Sequence, residues 1–70
     1  MSMNYAYNYA LIDPATNMCV EFVSRSAPLN DLTNIVEVPV NDPEYMGKFY
    51  INGNWYEDAE GTIPWTSSLL

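Results

Sequence analysis

The sequence predicts one small all-β domain of about five strands, made of two hairpins and a middle strand, with one short helical turn near 42–47. Three observations predict it. Apolar residues recur at every second position through residues 4–13, 18–24 and 35–40, the period of a strand and not of a helix. Asn52-Gly53 separates two runs rich in aromatic and β-branched residues, which is the signature of a two-residue type I′ hairpin. Groups of Pro, Asn and Asp stand between the runs and punctuate them as turns. Together these imply a twisted sheet or a small open barrel.

The first run, 4–13, places Tyr5, Tyr7, Tyr9 and Leu11 on one face and Ala6, Asn8, Ala10 and Ile12 on the other. The tyrosine stripe has two readings. It is the core face of the strand, or it is an exposed stripe for a partner, since tyrosine is enriched at interfaces. The Tyr-rich opening also suits an arm that orders only on assembly. In Asp13-Pro14-Ala15-Thr16-Asn17 the proline presets φ, the aspartate can bond backbone ahead of it, and the asparagine tolerates the left-handed region. A second strand follows, with Met18, Val20 and Phe22 on one face and Cys19, Glu21 and Val23 on the other. It should pair with the first as a hairpin.

Residues 25–34 read as a connector, with one helical turn expected at 28–32. In the third strand, 35–40, Val36, Val38 and Val40 face inward and Glu37 outward. Pro39 cannot donate to a ladder, which places this strand at an edge or ends its pairing there. Asp42 suits a helix N-cap, Pro43 the first helical position, Glu44 the first turn and Gly47 the left-handed position after the end. Only one turn fits between them, a length that suits 3₁₀ geometry.

The second hairpin has its register set by its turn. Ile51 faces Asn54, Tyr50 faces Trp55, Phe49 faces Tyr56, and Lys48 faces Glu57 as an ion pair. Both faces are apolar, so Tyr50, Asn52, Gly53 and Trp55 are expected to form a central structural hairpin and not an edge. The core is expected over 3–58, with 59–70 as a tail of the same single domain. Trp65 beside Pro64 either folds back over the protein's own sheet or anchors in a partner's groove.

Composition narrows the function. Hydrophobic residues make up 49% of the chain, enough for a packed domain. A chain of this length rarely draws more than about 3–5 kcal/mol from its core without a disulfide, a metal or an oligomer. One cysteine, Cys19, permits no internal disulfide, and the absence of histidine removes the usual zinc site. Oligomerisation or incorporation into an assembly is therefore expected. The net charge of −7, with Arg25 and Lys48 the only basic residues, argues against nucleic acid and anionic membranes as partners. It suits solubility, attraction to a basic partner surface, or mimicry of nucleic acid. No stretch is long enough to span a membrane, and the start lacks the basic region of a signal peptide.

No motif for catalysis is present. There is no Ser–His or Cys–His pair, no glycine-rich phosphate loop and no metal quartet. Glu57, Asp58 and Glu60 are carboxylates close in sequence that read as a solvated segment, and Asn52, Asn54 and Asp58 do not fit a calcium loop. The expectation is a non-enzyme without cofactors.

The order of pieces, ending in Gly47-Lys48-Phe49-Tyr50-Ile51-Asn52-Gly53-Asn54-Trp55, resembles small proteins of the structural, often tail, gene modules of tailed bacteriophages. These commonly run hairpin, loop, single strand and a Gly-Lys-x-Tyr-x-x-Gly-x-Trp-like ending. The resemblance covers about three-quarters of the chain and leaves out the Tyr-rich opening and the Trp65 tail. It implies a virion protein made in the host cytoplasm that acts by protein–protein contact in a tail, baseplate, fibre attachment or capsid decoration. The alternative is a small acidic inhibitor of a host defence protein. The residues expected to make contacts are Tyr5, Tyr7, Tyr9, Trp65, Leu69 and Leu70.

Overall fold

A computed structural model describes residues 7–70. The described residues are all-β, with five strands in two open antiparallel sheets: β1 Tyr7–Ile12, β2 Cys19–Arg25, β3 Ile35–Val38, β4 Phe49–Ile51 and β5 Asn54–Tyr56. The first sheet has the order β2-β1-β3 and the second is the β4-β5 hairpin. A 3₁₀ turn, Pro43–Tyr45, lies between β3 and β4.

The β1–β2 turn forms as its residues dictate. The Asp13 side chain accepts from Ala15 N–H at 2.9 Å, Asp13 C=O accepts from Asn17 N–H at 2.7 Å, and Asn17 takes φ 66°. Pairing then runs Leu11 to Glu21 and Ile12 to Cys19, so Val20 is an extra residue, a β-bulge, and is exposed. The bulge corrects the simple alternation expected for β2. It breaks the period of two, so Cys19 and Phe22 share a face instead of lying on opposite faces. Residues paired across strands share a face. Ala10 and Ile12 of β1, Cys19 and Phe22 of β2, and Val36 and Val38 of β3 accordingly form the core face of the first sheet.

The opposite face carries Tyr9. It is 1% exposed, and its hydroxyl accepts from Leu29 N–H at 3.1 Å in the connector that crosses over it. Both faces of β1 are therefore covered, one by the main core and the other by a loop. The connector is irregular, without the helical turn expected at 28–32. There Asp31 accepts from Thr33 N–H and hydroxyl at 2.9 and 2.7 Å, a local side-chain turn that competes with helix. β3 lies at the sheet edge and ends at Val38, before Pro39.

The second hairpin has the expected register for Phe49/Tyr56, Tyr50/Trp55 and Ile51/Asn54, with φ 52° at Asn52 and 85° at Gly53. Backbone borders it on both sides. On the β4 side Cys19 N–H donates to Lys48 C=O at 2.8 Å and Tyr50 N–H to Asn17 C=O at 2.9 Å. On the β5 side Glu57 N–H donates to Ile63 C=O at 2.8 Å and Trp65 N–H to Trp55 C=O at 3.0 Å. Residues 63–65 thus run along β5 as an irregular extra strand, bridged at Tyr56 and Pro64. The Lys48 ammonium lies 5.1 Å from the centroid of the Trp65 ring.

Candidate functional site

Three elements meet at Tyr45. The 3₁₀ turn presents it because Asp42 caps the turn, accepting from Glu44 N–H at 2.9 Å, and Pro43 supplies the helical φ of the first position. Tyr45 is 2% exposed. Its ring stacks on Phe22 of β2 at 5.9 Å, and meets Trp55 of β5 at 4.9 Å and Trp65 of the tail at 4.8 Å in edge-to-face contacts. Tyr50 packs against Trp55 at 5.0 Å from the neighbouring strand. Burial raises the Tyr45 phenol above its usual pKa, and the nearby Asp42 charge adds to that effect.

Asp42 is 3% exposed, and its second bond is to the tail: the Ser67 hydroxyl donates to it at 2.5 Å. Ser67 Oγ in turn accepts from Leu69 N–H at 3.1 Å. The carboxylate therefore holds the start of the 3₁₀ turn and the end of the chain together. Beside it, between the Asn52-Gly53 turn and the tail, is a cleft of about 490 Å³ lined by Tyr45, Trp55, Tyr56, Trp65, Thr66 and Ser67, with Leu70 at its border. Among the described residues, no charged side chain lines it.

The residues expected to make contacts lie in different places. Tyr5 falls outside the described residues. Tyr7 is half-buried and Tyr9 is enclosed, so Tyr9 has no surface to offer a partner. Trp65 folds back onto the protein's own sheet, half-buried, with part of its surface in the cleft. Leu69 and Leu70 are 60% and 67% exposed. The hairpin residues Gly53 and Trp55 join Trp65 and Leu70 around the same cleft.

Tyr45, Asp42 and Ser67 are the additions that sequence reasoning missed. Asp42 and Tyr45 sit inside the capped turn that was legible, but the tail's route back to them was not. Cys19 is buried, donates to Glu21 C=O at 3.3 Å, and has its pKa raised by burial. A thiol so placed is a poor nucleophile. Among the described residues, no group of three or more His, Cys, Asp or Glu could hold a metal ion, and no helix is long and apolar enough to cross a membrane.

Fold and site together define a small two-sheet β-domain with an aromatic cleft closed on one side by its own C-terminal segment. No family model, curated protein or solved structure matches the chain.

Proposed function

We propose that the protein is a non-enzymatic binding module that acts through protein–protein contact, with itself or with other subunits, inside a larger assembly. The observation that carries this reading is the C-terminal end. Leu69 and Leu70 remain 60% and 67% exposed next to a cleft walled by Trp55, Tyr56 and Trp65. Aromatic residues are enriched at the centres of protein interfaces, and exposed apolar side chains beside them extend the patch. The small core supports the same reading, because Tyr9 and Cys19 are the largest fully enclosed side chains among the described residues, and partner contact would add burial that the chain lacks alone. The resemblance of the Gly47–Trp55 stretch to phage tail-module proteins is what favours a bacteriophage particle as that assembly. The net charge of −7 favours a second reading, an acidic inhibitor that binds a basic surface of a host protein.

Size-exclusion chromatography with light scattering, paired with mass spectrometry of purified particles, tests the proposal. A defined oligomer, or the chain found in particles, is expected. Leu69→Ser with Leu70→Ser should abolish the association and leave the circular dichroism spectrum unchanged. A heat-stable monodisperse monomer absent from particles would count against it, and stoichiometric capture of one host enzyme would favour the inhibitor reading.

A further inference from the structure

We propose that the cleft between the Asn52-Gly53 turn and the tail receives the guanidinium of an arginine side chain presented by a partner protein. This deepens the binding-module reading and rests on it. Three observations converge on a cation. The half-buried rings of Trp55, Tyr56 and Trp65 line the cleft, and ring faces attract positive charge. The chain itself uses one of these rings in this way, with the Lys48 ammonium 5.1 Å from the Trp65 centroid. Behind the wall lies the Asp42 carboxylate, 3% exposed, whose hydrogen-bond donors are the neutral Ser67 hydroxyl and Glu44 N–H.

The charge balance points the same way. Arg25 and Lys48 are the only basic residues in a chain of net charge −7, and neither lines the cleft. A cationic partner is drawn toward this surface and an anionic one is repelled. Arginine fits better than lysine. Its planar group stacks on rings and gives up water more readily than a compact ammonium. A cleft of about 490 Å³ also has room for the whole fork beside the polar edges of Asn54, Thr66 and Ser67.

The test uses the two indole N–H signals, since Trp55 and Trp65 are the only tryptophans and both line the cleft. The full chain is titrated with N-acetyl-argininamide at constant ionic strength. Both indole signals should move and saturate. The citrulline analogue, equal in shape but uncharged, should bind at least about tenfold more weakly. Thr66 is exposed at the cleft wall, so Thr66→Lys should fold normally, place a competing cation there and weaken arginine binding by about tenfold or more. Ala15→Lys, exposed and outside the cleft lining, adds the same charge elsewhere and should leave it unchanged. Equal binding of citrulline, silent indole signals, or a folded Thr66→Lys variant that binds as before would overturn the assignment. If arginine fails to bind while light scattering still shows the assembly, the arginine site falls and the binding-module reading stands. If the assembly is absent as well, both fall.

Discussion

Asp42 shows how one side chain can serve both a local turn and a distant segment. As an N-cap it serves residues next to it, and a cap is worth about 1 kcal/mol. Through Ser67 it also reaches across 25 positions of sequence. Asp42→Ala should therefore cost about 2 kcal/mol in urea unfolding, more than a cap alone. Ser67→Ala should cost about 1–2 kcal/mol, because it leaves the buried carboxylate one donor short. In the double variant the two losses should fall short of their sum, which a double-mutant cycle measures. Asp58 tests a different local device. The Thr62 hydroxyl, followed by the Ile63 N–H, holds its carboxyl below the ordinary value of 3.8. Folding thus favours the ionised form. That contribution is present above pH 3.8 and is lost as pH falls through the lower folded-state value. Thr62→Val should raise the Asp58 pKa toward the ordinary value in an NMR titration. In the sequence Asp42 stood out as a cap because it precedes Pro43, whereas Asp58 read only as part of a solvated carboxylate segment. Only the cap at Asp42 was legible, because Ser67 carries no local mark of its partner.

At the scale of elements, the most local signals were the most informative. The turn Asn52-Gly53 dictates which residues oppose one another, so Tyr50 against Trp55 followed from chain geometry alone. The bulge at Val20 was not legible, since one inserted residue leaves no mark in composition yet moves Phe22 to the other face. The two faces of β1 were legible as a pair, but not what would cover each. Ala10 meets the core and Tyr9 meets a connector that carries few apolar residues. The tail was ambiguous because Pro64 argues against a strand, yet the N–H groups of Glu57 and Trp65 find partners on either side of it. Two glycines separate the local from the packed contribution. An added Cβ at Gly53, φ 85°, meets nothing within 4 Å, so Gly53→Ala should cost only the conformational penalty, about 1 kcal/mol. At Gly61, φ 70°, it would press on Ile51 Cδ1 at 3.2 Å and meet the Tyr56 ring at an ordinary contact distance of 3.7 Å. Gly61→Ala should cost more than Gly53→Ala by roughly 1 kcal/mol or more, and chemical denaturation of the two variants gives the comparison.

For the whole molecule, Tyr45 decides whether the two sheets behave as one. The described chain is thin, 16 Å along its shortest axis, so there is little depth in which to bury a second core. What joins the sheets is a few backbone bonds from residues 17–19 to β4, and the Tyr45 ring wedged among Phe22, Trp55 and Trp65. If that ring is the joint, wild-type unfolding is a single transition. Far-UV circular dichroism, reporting all strands, and tryptophan fluorescence, reporting only Trp55 and Trp65, should then give the same midpoint. Tyr45→Phe keeps the ring and should move that midpoint little, by less than about 1 kcal/mol. Tyr45→Ala would remove about 3–5 kcal/mol, comparable with everything a domain of this size draws from its core, and should simply unfold the chain. Tyr45→Leu is the informative change. It keeps apolar volume but loses the three ring contacts, so the hairpin and tail should loosen before the β2-β1-β3 sheet does. The fluorescence midpoint should then fall below the circular dichroism midpoint. Coincident midpoints in a destabilised Tyr45→Leu variant would show that the backbone bonds of residues 17–19 couple the sheets without the ring.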